Sequence, residues 1–311
     1  MKPKIIYIAG GGHSGSTLLS MIIGTSKEVF GLGEAYFYNS YHDEGSDPKL
    51  YKLESKTCTC GKQFSDCEFW SDVDKKLTEP LNILRNSSII DTLKIGWNIL
   101  VSPVSRLQFN LNLGDDIQLF DAVRSVHEDK GIDHKYFLDS SKDPRRLFRL
   151  VKLFGHERII VIHLIRDMRG YVNSYNNKNK PRVTESGLDP QNFFKLGLQW
   201  TLLNYLTRMF LRRNKIEFIH ISYDLFTKNP ELYLRQLNDK LSISIPDDHL
   251  EKINTGTYHD IHGNMMKFRK IRSIKHDRSW SQELSVIKRF ILNIFFSPFN
   301  SRYVFRDDIS Q

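Results

Sequence analysis

Apolar residues in this chain fall into two alternating patterns, and the alternation predicts the fold. Short runs rich in Ile, Val and Phe, bounded by glycine or charged residues, predict strands over 4–9, 28–32, 135–139, 158–164 and 215–221. Between several of these, apolar positions return every three or four residues and predict helices at Pro144–Phe154, Asp167–Asn177 and Phe193–Arg213. Strand and helix alternating in this way predict the α/β class, with a mostly parallel central sheet flanked by helices. From about 38 to 130 the pattern lapses into weak strand signal, with a helical-looking middle around Ile89–Leu100. We read 1–311 as one domain carrying a variable insert there, and assign the insert to shaping an acceptor site. No internal repeat or long low-complexity segment is visible.

In parallel α/β sheets, ligands sit beyond the C-terminal ends of the strands. The polar residues that follow each strand are therefore the first site candidates: Gly10–Thr17, Gly33–Glu34, Asp139–Lys142, Arg166–Asp167 and Ser222–Asp224. In "KIIYIAGGGHSGSTLLSMIIG" a strand, a glycine loop and a helix start follow one another, so backbone N–H groups and the helix dipole converge on one anion. Gly10, Gly15 and Thr17 match the P-loop spacing, but Ser16 stands where that motif has lysine. Without the ammonium, an anion other than a nucleoside triphosphate is expected, held by Gly12, His13, Ser14, Gly15, Ser16 and Thr17. A second anion site is expected where Arg166 leaves its strand, with Ser174 a little over two helical turns further on. The competing readings are a plain glycine turn and an exposed, salt-bridged helix start.

The pair "GGGHSGSTLL" and "HLIRDMRGYVNSY" resembles the sulfotransferases that use 3′-phosphoadenosine 5′-phosphosulfate, in particular bacterial and carbohydrate-type members. "FLDSSKDPRRLFRL" resembles their Asp-Ser-Ser-Lys stretch and "DRSWSQEL" their Asp-x-x-Trp segment, so that the likeness runs from about Lys4 to Leu284. The resemblance implies a P-loop NTPase-like three-layer fold. It implies that the first loop holds the 5′-phosphosulfate, and that Arg166 and Ser174 hold the 3′-phosphate. Three places depart from the family pattern: His13 replaces an Arg or Lys, Asp224 and Leu225 replace Glu and Asp, and Met265 and Lys267 replace Pro and Arg in "HDIHGNMMKF".

Sulfuryl transfer needs an in-line acceptor oxygen, a base for its proton, and donors for charge growing on the leaving oxygen. Glu34, after the second strand and beside Gly31 and Gly33, is the candidate base, as the resemblance also implies. The alternative for Glu34 is a surface carboxylate capping the next helix. His13 is the competing catalytic candidate. Lys142 is a candidate contact to the donor or acceptor anion, and Asp139 is expected either to orient it or to cap the following helix. Trp280 is weighed as an adenine platform or core, and Trp200 as core. The transferred group carries less charge than a terminal phosphoryl group, so no metal is required by the chemistry.

Composition narrows the partners. A formal charge of +9 suits an anionic ligand, and with 40% hydrophobic residues and a mean hydropathy of -0.41 the chain can bury a full core. No nucleic-acid motif is present, so no nucleic-acid partner is expected. The first apolar run leads into the glycine loop rather than a cleavage site, and a cytoplasmic location is expected. "VIKRFILNIFFSPF" reads as a docked terminal helix, with peripheral membrane contact as the alternative.

Cys58, Cys60 and Cys67 are the chain's three cysteines. Free thiols are the first expectation, since the spacing lacks a C-x-x-C pair. The alternatives are a zinc knuckle completed by His42 or another fourth ligand, and a loop-closing disulfide.

The function expected from these residues and this resemblance is sulfuryl transfer from 3′-phosphoadenosine 5′-phosphosulfate to a hydroxyl, on a carbohydrate or glycolipid-like acceptor. The rivals are a degenerate P-loop kinase or nucleotide hydrolase, and a non-catalytic nucleotide-binding module.

Overall fold

The computed structural model describes residues 3–41, 57–78, 81, 114–176 and 192–305. Five parallel strands form one sheet: β1 (Lys4–Gly10), β2 (Val29–Gly33), β3 (Tyr136–Lys142), β4 (Ile159–Ile165) and β5 (Glu217–Ser222). Their order across the sheet is β2-β3-β1-β4-β5. Each strand lies within a few residues of its expected place, because its apolar run is continuous and is closed by glycine or a polar cluster.

Both faces of the sheet are buried, and successive residues of a strand serve opposite cores. In β1, Ile5, Tyr7 and Ala9 join one core and Ile6 and Ile8 the other. The first core is completed by Leu147, Phe148 and Leu150 of the helix Pro144–Phe154 and by Phe210 and Leu211 of the helix Phe193–Arg213. The second takes Leu18, Leu19, Ile22 and Ile23 of the helix Ser16–Ile23, with Phe226 and Leu237 from beyond β5. The result is the three-layer α/β arrangement expected from the sequence.

The described parts of the insert pack into the first core. Phe69, Trp70 and Val73 of the helix Glu68–Lys76 meet Leu119, Phe120 and Val123 of the helix Gly114–Asp129. The stretch Ile89–Leu100 and the loop Lys178–Gln191 lie outside the described residues.

A buried ion network joins the insert to β3. Arg146 donates from Nε to Asp139 Oδ2 at 2.8 Å and also pairs with Asp116, which accepts from Arg149 Nε at 2.9 Å. The expected role of Asp139 is corrected here: it neither orients Lys142 nor caps a helix. The cap is Asp143, whose carboxylate accepts from Arg145 N at 2.7 Å. β3 runs on through the Asp-Ser-Ser-Lys stretch, and Asp139 lies in its buried interior. Removing the shared carboxylate with Asp116→Ala takes one charged partner from each of two buried guanidinium groups. The expected cost is about 3–5 kcal/mol, read as a lowered urea midpoint at unchanged slope.

The C-terminal helix Val286–Val304 docks through Leu292, Phe296, Tyr303 and Val304 onto a third cluster around Trp200 and Trp280. Its other side keeps Val286, Ile287 and Phe290 at 70%, 72% and 63% exposure, so docking covers only part of its apolar surface. Among the described residues, no helix is long and apolar enough to cross a membrane.

Candidate active site

After β1 the chain moves to β2 and β3 on one side of the sheet, and then to β4 and β5 on the other. The loop after β1 therefore opens at the crevice where the winding reverses. Gly15 ends this loop at φ 90, and a Cβ there would lie 2.2 Å from the Tyr223 ring. Gly12 is similarly confined, since a Cβ would lie 2.5 Å from Tyr175 Oη. These glycines let two tyrosines close against the loop. Gly15 caps the helix Ser16–Ile23 with no side-chain hydrogen bond to the first turn. Ser14 Oγ donates to Gly11 O at 2.7 Å, which braces the loop from within. His13 has a left-handed backbone (φ 59), and its ring meets Tyr175 edge-on at 4.7 Å. Ser16 is buried in the first turn, and Thr17 Oγ1 accepts from Asn264 N at 3.3 Å.

Arg166 forms the wall beside this loop. From just beyond β4 its Nη1 donates to His13 O at 2.9 Å and to Ser174 Oγ at 3.0 Å, and its Nη2 reaches Asp277 Oδ2 at 2.6 Å. The two candidate anion sites thus share one guanidinium. Its Nε is buried without a hydrogen-bond partner, and a Cβ on Gly170 would lie 2.9 Å from that atom. Gly170 is what allows the guanidinium to lie flat against its own helix. Trp200, buried in the core, donates to Arg166 O at 3.0 Å and holds the strand end in place.

Glu34 lies on the opposite side of the crevice. It is buried and forms an ion pair with Lys142, which ends β3 with φ 67. β3 separates β2 from β1, so Glu34 approaches the loop across Lys142 rather than from a neighbouring strand. The alternative of Glu34 as a surface helix cap is not what the structure has.

A segment from the C-terminal third completes this side. Ile261 N donates to Leu32 O at 3.0 Å and Glu34 N donates to Ile261 O at 2.7 Å, as if a short extra strand were laid along β2. Beyond it, a Cβ on Gly263 would lie 3.7 Å from both Glu34 Oε1 and Thr17 Oγ1. That is ordinary contact distance, so it is the left-handed backbone at Gly263 (φ 102), rather than lack of room, that asks for glycine here. Lys267 Nζ folds back to His262 O at 2.6 Å, and burial lowers its pKa below the usual lysine value.

Charge in the site follows from these contacts. Burial drives the Asp277 carboxyl upward, but bonds from Ser279 and the Arg166 guanidinium outweigh it and hold its pKa below the ordinary value. Asp224 is pushed up to about 6, chiefly by burial, with its Oδ2 accepting from Asp167 N at 2.6 Å.

Among the expected residues, the structure brings together the glycine loop, His13, Arg166 and Ser174 on one side, and Glu34 and Lys142 on the other. Trp280 is buried with the Arg169 guanidinium 3.9 Å from its ring centroid, so one of its faces carries a cation. Sequence reasoning missed Asp277 as the partner of Arg166, Gly170 as its floor, and Tyr175 and Tyr223 as walls. The signal for Asp277 was present in "DRSWSQEL", but its partner could not be read from one chain.

No protein-family model and no curated protein matches this chain. Three solved structures that resemble it are sulfotransferases. The sulfotransferase domain from the curacin biosynthetic pathway aligns at a TM-score of 0.49 and 16% identity, over 95% of this chain and 98% of that one. The sulfotransferase domain of the Synechococcus PCC 7002 olefin synthase gives 0.48 and 15%, over 95% and 94%. Sulfotransferase STF9 from Mycobacterium avium gives 0.48 and 10%, over 97% and 77%.

Proposed function

We propose that this chain is a sulfotransferase that moves a sulfuryl group from 3′-phosphoadenosine 5′-phosphosulfate to a hydroxyl of a carbohydrate or lipid-linked acceptor. The observation that carries this reading is the Arg166 contact set. One guanidinium bonds both the carbonyl of a lysine-free glycine loop and Ser174, which supports two anion sites side by side for a donor bearing two anionic groups. The motif resemblance supports it independently.

In this reading the loop N–H groups from Gly12 to Thr17 bind the 5′-phosphosulfate, and Arg166 with Ser174 binds the 3′-phosphate. Glu34 takes the proton of the acceptor hydroxyl as its oxygen bonds to sulfur. The bond from sulfur to the bridging oxygen breaks, and the leaving phosphate oxygen keeps the electron pair. Lys142 and the loop N–H groups meet the charge that gathers there. The ion pair keeps base and cation together until a hydroxyl enters between them.

Asp277 now takes part of the capacity of Arg166. Its carboxylate repels a 3′-phosphate, and its half-exposed side chain has room to move aside. Asp277→Asn is expected to tighten 3′-phosphoadenosine 5′-phosphate by up to roughly five-fold while leaving adenosine 5′-phosphate unchanged, measured by calorimetry.

The function is tested with the purified chain, sulfur-labelled donor and a panel of hydroxylated sugars and glycolipids in magnesium-free buffer. Label appearing in a sugar or glycolipid with matching release of the bisphosphate supports the reading. ATP turnover with magnesium, without any sulfuryl transfer, replaces it with the kinase or hydrolase.

A further inference from the structure

The three cysteines meet a histidine that lies far away in sequence. Cys60 Sγ is 3.7 Å from Cys67 Sγ, Cys58 Sγ is 3.6 Å from His259 Nδ1, and Cys67 Sγ is 3.3 Å from the same nitrogen. All four ligand atoms lie within 4.8 Å of one another. A tetrahedral zinc ion, with Zn–S near about 2.3 Å and Zn–N near about 2.0–2.1 Å, sets its ligands roughly 3.8 Å apart for S···S and roughly 3.6 Å for S···N. The separations therefore need little adjustment to take an ion at the centre. A disulfide bond is about 2.05 Å long, so the sulfurs are spaced for a shared ion rather than for each other.

The surroundings are built for the same purpose. Cys58 and Cys67 are buried, and a turn from Cys58 to Lys62 brings Cys60 back beside them, with Cys58 N donating to Lys62 O at 2.9 Å. Gly61 makes that turn at φ 86. His259 is fixed by stacking on Phe69 at 4.8 Å and by Trp70 Nε1 donating to its carbonyl at 3.0 Å. Thr59, between two of the cysteines, accepts from Asp260 N at 2.9 Å. His42, weighed as a fourth ligand from the sequence, lies outside the described residues, and His259 fills that place.

We infer that Cys58, Cys60, Cys67 and His259 bind one zinc ion. Four protein ligands close the site, so the ion is structural and does not activate a water molecule. Binding releases the thiol protons to solvent and leaves three thiolates and a neutral imidazole on the metal. The ion ties the insert to the segment that pairs with β2 through Ile261 and covers Glu34. This inference stands on its own geometry and does not depend on the reaction proposed above.

The test is metal analysis of the purified full chain, made without a histidine tag in zinc-supplemented medium. One zinc per chain, lost in Cys60→Ser and retained in His259→Cys, is the expected result. Replacement by cobalt should produce the visible bands of a tetrahedral ion with thiolate charge transfer, and these should shift in His259→Cys. The cobalt spectrum of the unaltered chain decides the matter even if a variant fails to fold. Folded, metal-free protein with three titratable thiols overturns the inference. So does a Cys60–Cys67 disulfide found by mass spectrometry, or stoichiometric iron in place of zinc.

Discussion

Glu34→Gln is expected to lower turnover by about two to four orders of magnitude, the range for loss of a positioned general base. Glutamine keeps the shape and a hydrogen bond to Lys142, but it cannot take the acceptor proton. In the proposed arrangement Glu34 serves the acceptor and Arg166 the nucleotide, so affinity for 3′-phosphoadenosine 5′-phosphate should stay within about two-fold. The check pairs initial rates of labelled transfer with calorimetric titration of the same preparations. An undiminished rate removes Glu34 as base, and the same assay on His13→Ala then tests the other catalytic candidate. Loss of rate and nucleotide affinity together would mean that the Glu34–Lys142 pair supports the loop rather than the proton transfer.

Arg166→Ala has the second large expected effect, on recognition rather than rate. A charge-assisted hydrogen bond contributes about 1.5–3 kcal/mol, so losing the guanidinium should weaken the 3′,5′-bisphosphate roughly ten- to more than hundred-fold. The diagnostic quantity is the preference for that ligand over adenosine 5′-phosphate, which should collapse toward unity. Arg166→Lys should restore little of it, because an ammonium cannot reach His13 O and Ser174 while lying flat on Gly170. Equal weakening of both nucleotides would instead place the role of Arg166 in bracing the glycine loop.

The strands and three helices were legible because each depends on a local run of apolar residues. The loop, Glu34, Lys142 and Arg166 were legible because parallel sheets display the residues that follow their strands. What stayed hidden depends on pairing. The sequence marks Glu34 at the end of the second strand, but not that β3 runs beside β2 and so brings Lys142 to it. Asp139 looked like a cap because it precedes a helix, yet Arg146 comes back from that helix and claims it inside the core. The cysteine spacing lacks a C-x-x-C pair and gives no sign of His259, which the segment along β2 brings beside it. Contacts of this kind arise from tertiary approach and leave no periodic trace in the chain.

The pairing of Glu34 N with Ile261 O bears on the order of assembly. The glycine loop and Glu34 are synthesised long before the strand-like segment that fixes the acid. Long-range closures of this type form late, after local helices and neighbouring strands. Until translation has passed His259 and Ile261, the growing polypeptide carries the glycine loop while Glu34 N still lacks its partner. Premature termination before that point yields a fragment in which the Glu34 backbone has lost its partner.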